Sequence, residues 1–160
     1  GEAMLLAAVG EAVGDAERIA DLFAGCGTFA LPLAERAEIL AAEGEAEAVA
    51  ALEAGWRAAP GLRRLRAETR DLFARPLRAE ELSGLGAAVM DPPRAGARAQ
   101  TGQIAAAQVP RVAAVSCNPA TFARDARVLI DAGYALDWVQ PVDQFRWSPH
   151  VELAAAFRLP

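Results

Sequence analysis

The sequence predicts an α/β domain built on a mainly parallel sheet. Short apolar runs alternate with longer Ala-rich stretches. Glycine, proline or acidic residues stand at the end of most apolar runs. The final two runs follow one another with no helix between them. The alternation implies parallel strands with helices on both faces. The missing last crossover makes one of the final two strands antiparallel to the rest.

Alanine fills both faces of many stretches, so the boundaries carry more weight than the periodicity. Met4 to Val13 reads as a helix ended by Gly14. Ile19 to Ala24 is a short strand stopped by Gly25-Cys26-Gly27, and Phe29 to Arg36 is a helix. Glu38 to Ala42 is a strand running into Glu43. Glu45 to Ala58 is a helix broken by Pro60-Gly61. Leu65 to Arg70 is a third strand, followed by Asp71. Leu77 to Leu85 carries no clear signal. Ala87 to Met90 is a strand stopped by Asp91-Pro92-Pro93, and Gln100 to Gln108 is a weak helix. Val112 to Ser116 is a strand that meets Cys117-Asn118-Pro119. Thr121 to Asp131 is a helix closed by Gly133. Ala135 to Val142 and Val151 to Arg158 are the last strands.

The length of 160 residues fits one domain, 1–160, with an ordinary core. Apolar residues make up 54%, which excludes a disordered chain. No apolar run approaches the roughly 20 residues of a membrane helix, and no leader peptide is visible. Cys26 and Cys117 are the only cysteines, so neither a disulfide framework nor a zinc-site spacing is present, and no metal is expected. These features imply a cytoplasmic protein. All 16 basic residues are Arg, which with the Ala content points to a GC-rich genome. The chain opens on Gly1 rather than Met, as the catalytic C-terminal piece of a longer protein would.

Four segments carry polar chemistry at strand ends. In Asp21-Leu22-Phe23-Ala24-Gly25-Cys26-Gly27-Thr28-Phe29 a strand runs into Gly-x-Gly and then a helix. Such glycines permit a tight turn and a close approach of backbone to ligand. Gly25 and Gly27 alone also fit an ordinary βα turn. Ala30 occupies the third glycine position of a dinucleotide fingerprint, pointing mildly away from NAD. Glu43, after the next strand, suits a ribose diol. Asp21 suits the ammonium group of S-adenosylmethionine. Asp91-Pro92-Pro93-Arg94 is a stiffened loop after the fourth strand. In Ser116-Cys117-Asn118-Pro119 a cysteine stands ahead of a helix, whose free N–H groups favour negative charge there. It reads either as a nucleophile or as a small buried hydrophobe. In Pro149-His150-Val151-Glu152 the only histidine reads as a turn residue. Glu152, at the start of an apolar strand, reads as a proton acceptor or as a solvated strand end.

Together these four segments resemble the ordered motifs of the RNA 5-methyluridine methyltransferases, from Ile19 to Phe157. The separation of 35 residues between Cys117 and Glu152 fits that family. The resemblance implies a Rossmann-like S-adenosylmethionine-dependent methyltransferase fold. Its seven-stranded, mostly parallel sheet has the order 3-2-1-4-5-7-6, with the last strand antiparallel. It implies S-adenosylmethionine as cofactor and RNA, either tRNA or rRNA, as partner. Phe23 (through its carbonyl), Thr28, Glu43, Asp71 and Asp91 would line the cofactor site, beside Asp21, Gly25 and Gly27. Cys117 would add to C6 of a uridine and Glu152 would remove the C5 proton. Family members carry an upstream segment with a cofactor-binding glutamine, usually after an RNA-binding β-barrel, and some hold an iron–sulfur cluster; none of those features is in this sequence.

The net charge of −5 sits poorly with RNA binding, so most of the RNA affinity is expected in a missing N-terminal region. The run of Arg57, Arg63, Arg64, Arg66, Arg70, Arg75 and Arg78 reads as a solvated face. Two other functions stay open. A methyltransferase acting on nitrogen would use an Asp/Asn-Pro-Pro-aromatic loop and no cysteine, whereas Arg94 stands in the fourth position here. A non-catalytic binding fragment would have no need of both Cys117 and Glu152.

Overall fold

The computed structural model describes residues 1–142, 147 and 151–160. His150 and Pro149 lie outside the described residues. The elements are α1 (Glu2–Val13), β1 (Arg18–Leu22), α2 (Ala30–Leu33), β2 (Glu38–Glu43), α3 (Ala46–Ala58), β3 (Leu65–Thr69), α4 (Ala79–Leu82), β4 (Ala87–Met90), α5 (Arg98–Ala107), β5 (Arg111–Ser116), α6 (Pro119–Asp131), β6 (Ala135–Val142) and β7 (Glu152–Arg158).

One seven-stranded sheet has the order β3-β2-β1-β4-β5-β7-β6. The first five strands pair in parallel, and β7 lies antiparallel between β5 and β6. Both the expected order and the reversed last strand are therefore present. Helices cover both faces. Leu5, Val9 and Val13 of α1 and Leu52 of α3 pack with Ile19, Val89 and Val115 on one face. Leu82 of α4, Ile104 of α5 and Leu129 of α6 pack with Leu22, Met90 and Phe157 on the other. Successive residues of a strand point to opposite faces, and here both faces are covered, so β1, β4, β5 and β7 are buried almost throughout. The many alanines there let the helices lie close to the sheet.

Three expectations shift. The helix expected over Phe29 to Arg36 is a single α-turn, Ala30–Leu33, with Pro32 inside it. Proline cannot donate a backbone hydrogen bond, and turns occupy the residues on either side. The strand expected to Ala24 stops at Leu22, because Phe23 turns left-handed with φ of +63°. The unmarked stretch 77–85 holds α4, whose N-terminus is tied by Glu81 accepting the Arg78 backbone N–H at 2.8 Å.

Parallel strands end on one edge of the sheet, so their following loops share one rim. β7 runs the other way and begins on that same rim. The functional segments of the sequence meet there for this topological reason.

Candidate active site

The glycine loop is built by backbone strain and carboxylate bonds. Phe23 is left-handed, and Gly25 and Gly27 follow with φ of +57° and +102°. A Cβ at Gly27 would stand 2.5 Å from Leu52 Cδ1, so only glycine fits there. Glu43 accepts the Gly25 N–H at 2.8 Å through Oε2 and the Glu45 N–H at 3.1 Å through Oε1. Its carboxylate thus already holds the loop, and each oxygen keeps lone-pair capacity for a further donor.

Asp21 lies beneath the loop and is wholly buried. Neither carboxylate oxygen has a hydrogen-bond partner among the described residues. Burial, then the neighbouring Asp91 charge, push its pKa up to about 8; Glu43 adds a smaller upward push, and the Ala30 N–H acts in the opposite direction without satisfying either oxygen. An orphaned buried carboxylate within an acidic surround is suited to a cation. Asp91 is exposed at the end of β4. The protein packed around it and the Glu152 charge push its pKa up to about 6.

Strand register sets the remaining geometry. Ser116 pairs with Leu153 in the antiparallel β5–β7 ladder. That is the last pair of the ladder: Cys117 follows Ser116 off the end of β5, while Glu152, the first residue of β7, is held in the sheet by its pairing with Val142 of β6. Both are partly buried. The Ser116 hydroxyl donates to the Asn118 carbonyl and accepts its N–H, each at 3.0 Å, which turns the chain sharply around Cys117. Asn118 then caps α6 by accepting the Ala120 N–H at 3.0 Å, with Pro119 at the first helical position. In the same way Leu22 pairs with both Ala42 and Met90, so Phe23 sits between Glu43 and Asp91.

The rim thus gathers Asp21, Phe23, Gly25, Gly27, Thr28, Glu43, Asp91, Cys117 and Glu152. Asp71 is beside them, after β3, but it spends Oδ1 on the N–H groups of Phe73 and Ala74, at 2.9 and 3.3 Å. Cys26 is exposed in the glycine loop. Sequence reasoning missed Phe73, whose half-exposed ring lies 5.4 Å from that of Phe23. It also missed Asp125, a buried carboxylate in α6. Its signal was a set of polar residues, Asn118, Thr121 and Asp125, recurring at helical spacing.

A cavity lined by Arg18, Glu38, Arg64 and Arg66 opens at the opposite, N-terminal edge of β1 to β3 and contains none of these groups. The arginine run is only in part a free surface. Arg70 is a strut, bonding the Arg75 and Pro76 carbonyls at 2.7 Å each and Glu81 at 2.8 Å. Arg57 pairs with Glu53, and Arg78 with Glu80 and Glu81. No helix among the described residues is long and apolar enough to cross a membrane.

Known proteins share this architecture. A family model described as tRNA (Uracil-5-)-methyltransferase matches residues 2–158. An uncharacterised RNA methyltransferase of Mesorhizobium japonicum is 55% identical over 152 residues, covering 95% of this chain and 37% of that protein. The 23S rRNA (uracil(1939)-C(5))-methyltransferase of Pseudomonas fluorescens is 44% identical over 144 residues, covering 88% of this chain and 32% of that one. The crystal structure of the Pyrococcus abyssi tRNA (uracil-54, C5)-methyltransferase, in complex with S-adenosyl-L-homocysteine, superposes with a TM-score of 0.83 at 28% identity. That match covers 98% of this chain and 38% of the other. The chain thus spans about a third of the length of these proteins. With a family model matching residues 2–158 and the expected sheet order in place, the chain belongs to the tRNA (uracil-5-)-methyltransferase family.

Proposed function

We propose that the chain is the catalytic domain of an S-adenosylmethionine-dependent enzyme that methylates C5 of a uridine in tRNA or rRNA. One observation supports the reading: the last β5–β7 pair, Ser116 with Leu153, lies one residue from both Cys117 and Glu152, on the rim that also holds the glycine loop. Asp21 supports the choice of cofactor, since two orphaned buried carboxylate oxygens suit the ammonium group of a bound amino acid. Gly25, Gly27 and Glu43 would hold the rest of it, with Phe23, Thr28, Asp71 and Asp91 around the pocket.

C5 of uracil is a poor nucleophile. The Cys117 thiolate adds to C6 and turns the ring into an enolate whose C5 carries the electron pair. When bound, S-adenosylmethionine supplies the methyl group that C5 takes up. Glu152 then accepts the C5 proton; the electron pair of that bond forms the C5–C6 double bond and expels the Cys117 thiolate. The target base must leave its stack to reach a rim of this kind. With a net charge of −5, RNA affinity belongs mostly to the part of its relatives that this chain does not match.

The test uses the full-length protein, radiolabelled cofactor and a denaturing gel. Cys117→Ala should abolish both methylation and the covalent RNA complex. Glu152→Gln should accumulate a denaturation-resistant protein–RNA complex carrying the label, because the amide cannot take the C5 proton. A Cys117→Ala protein that still methylates would favour a nitrogen-methylating enzyme.

A further inference from the structure

The two loops that flank the cysteine form one rigid unit, and a carboxylate in α6 ties them together. Four side chains from α6 and its lead-in converge on the backbone of residues 94–97. Asn118 Nδ2 donates to the Arg94 carbonyl at 3.0 Å, and Thr121 Oγ1 donates to the same oxygen at 2.9 Å. Arg124 Nη2 donates to the Ala95 carbonyl at 2.9 Å. Asp125 Oδ2 accepts the Ala97 N–H at 2.6 Å, while Oδ1 accepts from Arg124 Nε at 3.0 Å.

Asp125 is the one buried member of this set, 8% exposed. A buried carboxylate is costly, and an apolar residue at this point of α6 would pack without that penalty. Ala97 holds the N-cap position of α5 without a capping side chain, and Asp125 of the neighbouring helix accepts the Ala97 N–H, placing a negative charge at the N-terminus of α5. Gly96 completes the clamp. Its φ is +74°, and a Cβ there would lie 2.7 Å from both Arg124 Nη2 and Asp125 Oδ2. The backbone therefore lies flat against α6. At its other end the same loop is pinned to β1 by the Asp91 N–H, which bonds the Leu22 carbonyl at 3.3 Å.

We propose that Asp125 is a positioning residue, which fixes the Asp91-Pro92-Pro93-Arg94 loop relative to Cys117. This rests on the reading of Cys117 as the nucleophile. The side chain acts through the Ala97 amide and touches no reacting atom. Its effect falls on the rate of the chemical step rather than on binding.

The experiment measures methyl transfer to RNA, affinity for S-adenosylhomocysteine and melting temperature in the full-length protein. Asp125→Ala should lower kcat about a hundredfold, the loss expected for a misplacement of about 1 Å. KM for RNA and cofactor affinity should stay within about twofold of wild type. Asp125→Asn keeps an acceptor for Ala97 and should recover kcat to within about tenfold of wild type. Should Asp125→Ala fail to fold, the double variant Thr121→Val/Arg124→Ala keeps the buried carboxylate and removes the Thr121 bond to Arg94 and the Arg124 bond to Ala95, leaving that of Asn118. It should lower kcat at unchanged cofactor affinity. Unchanged kcat in these variants overturns the proposal. So does a fall in kcat that only tracks loss of cofactor affinity and of melting temperature. Cys117→Ala is run beside them. If it is inactive while the Asp125 variants are normal, only the positioning role fails; if it still methylates, the nucleophile reading itself fails.

Discussion

Replacing Asp21 by asparagine should make this chain more stable at neutral pH relative to mildly acid pH, while weakening its grip on the cofactor. The folded pKa is about 8 against an ordinary 3.8. Between those values the folded chain keeps a proton that the unfolded chain releases. Stability from this group is thus full below about pH 4 and declines as pH rises towards 8. Each pH unit inside that window is worth about 1.4 kcal/mol. From pH 5 to pH 7 the wild type should lose up to about 2.7 kcal/mol relative to Asp21→Asn, with about 1–2 kcal/mol expected once local relaxation and water entry are allowed for. The comparison uses the change in the gap, not its absolute size. The asparagine amide also lacks partners in that pocket, which shifts the variant by a constant amount. Urea unfolding of both proteins, without cofactor, at pH 5, 6 and 7 gives the gap directly. Affinity for S-adenosylhomocysteine, by calorimetry, should fall at least about tenfold for want of the carboxylate. A gap that is flat from pH 5 to pH 7 would refute the reasoning, because it would mean that Asp21 titrates normally.

Other substitutions test the same rim. Gly27→Ala should lose measurable cofactor binding and about 1–3 kcal/mol of stability, since both φ and Leu52 oppose a Cβ; calorimetry and urea unfolding check it. Glu43→Ala releases the Gly25 and Glu45 amides and should weaken S-adenosylhomocysteine binding, whereas equal affinity would remove Glu43 from the site. Glu152→Gln takes away a neighbouring charge, so the Asp91 carboxyl resonance should titrate below its present value of about 6. The Arg70 side chain holds the Glu81 carboxyl down at about 2, so their contribution is present above the usual 4.5 and fades as pH falls towards 2. Acid unfolding of Glu81→Gln should accordingly show a shallower decline than wild type across that range.

Much of this was legible in the sequence because the chain punctuates its strands with residues of narrow use. Gly25-Cys26-Gly27, Asp91-Pro92-Pro93 and Cys117-Asn118-Pro119 each mark a strand end that the structure confirms within two residues. Glu152 could be matched to Cys117 only through the resemblance, since their adjacency is a property of strand register between β5 and β7. No local pattern encodes that pairing. Alanine hid the rest. It serves strand, helix and loop alike, so α2 and α4 could not be sized from periodicity. The second use of Glu43, holding the glycine loop, and the tie from Asp125 to Ala97 are long-range hydrogen bonds. They need the fold before they can be seen.

The place of β7 also sets an order in time. β6 precedes it in the chain but reaches the sheet only through it. Until residues 152–158 arrive, β6 has no partner among the other strands, and β5 keeps an open flank of unpaired amide and carbonyl groups. A chain emerging from the ribosome can therefore form its glycine loop, and present its cysteine, well before the carboxylate that completes the pair. Closure of the sheet and, on the proposed mechanism, completion of the site would be a single late event. During that interval the bare edge of β5 is the surface most exposed to wrong pairing with another copy, and a chaperone would have most to gain by covering it.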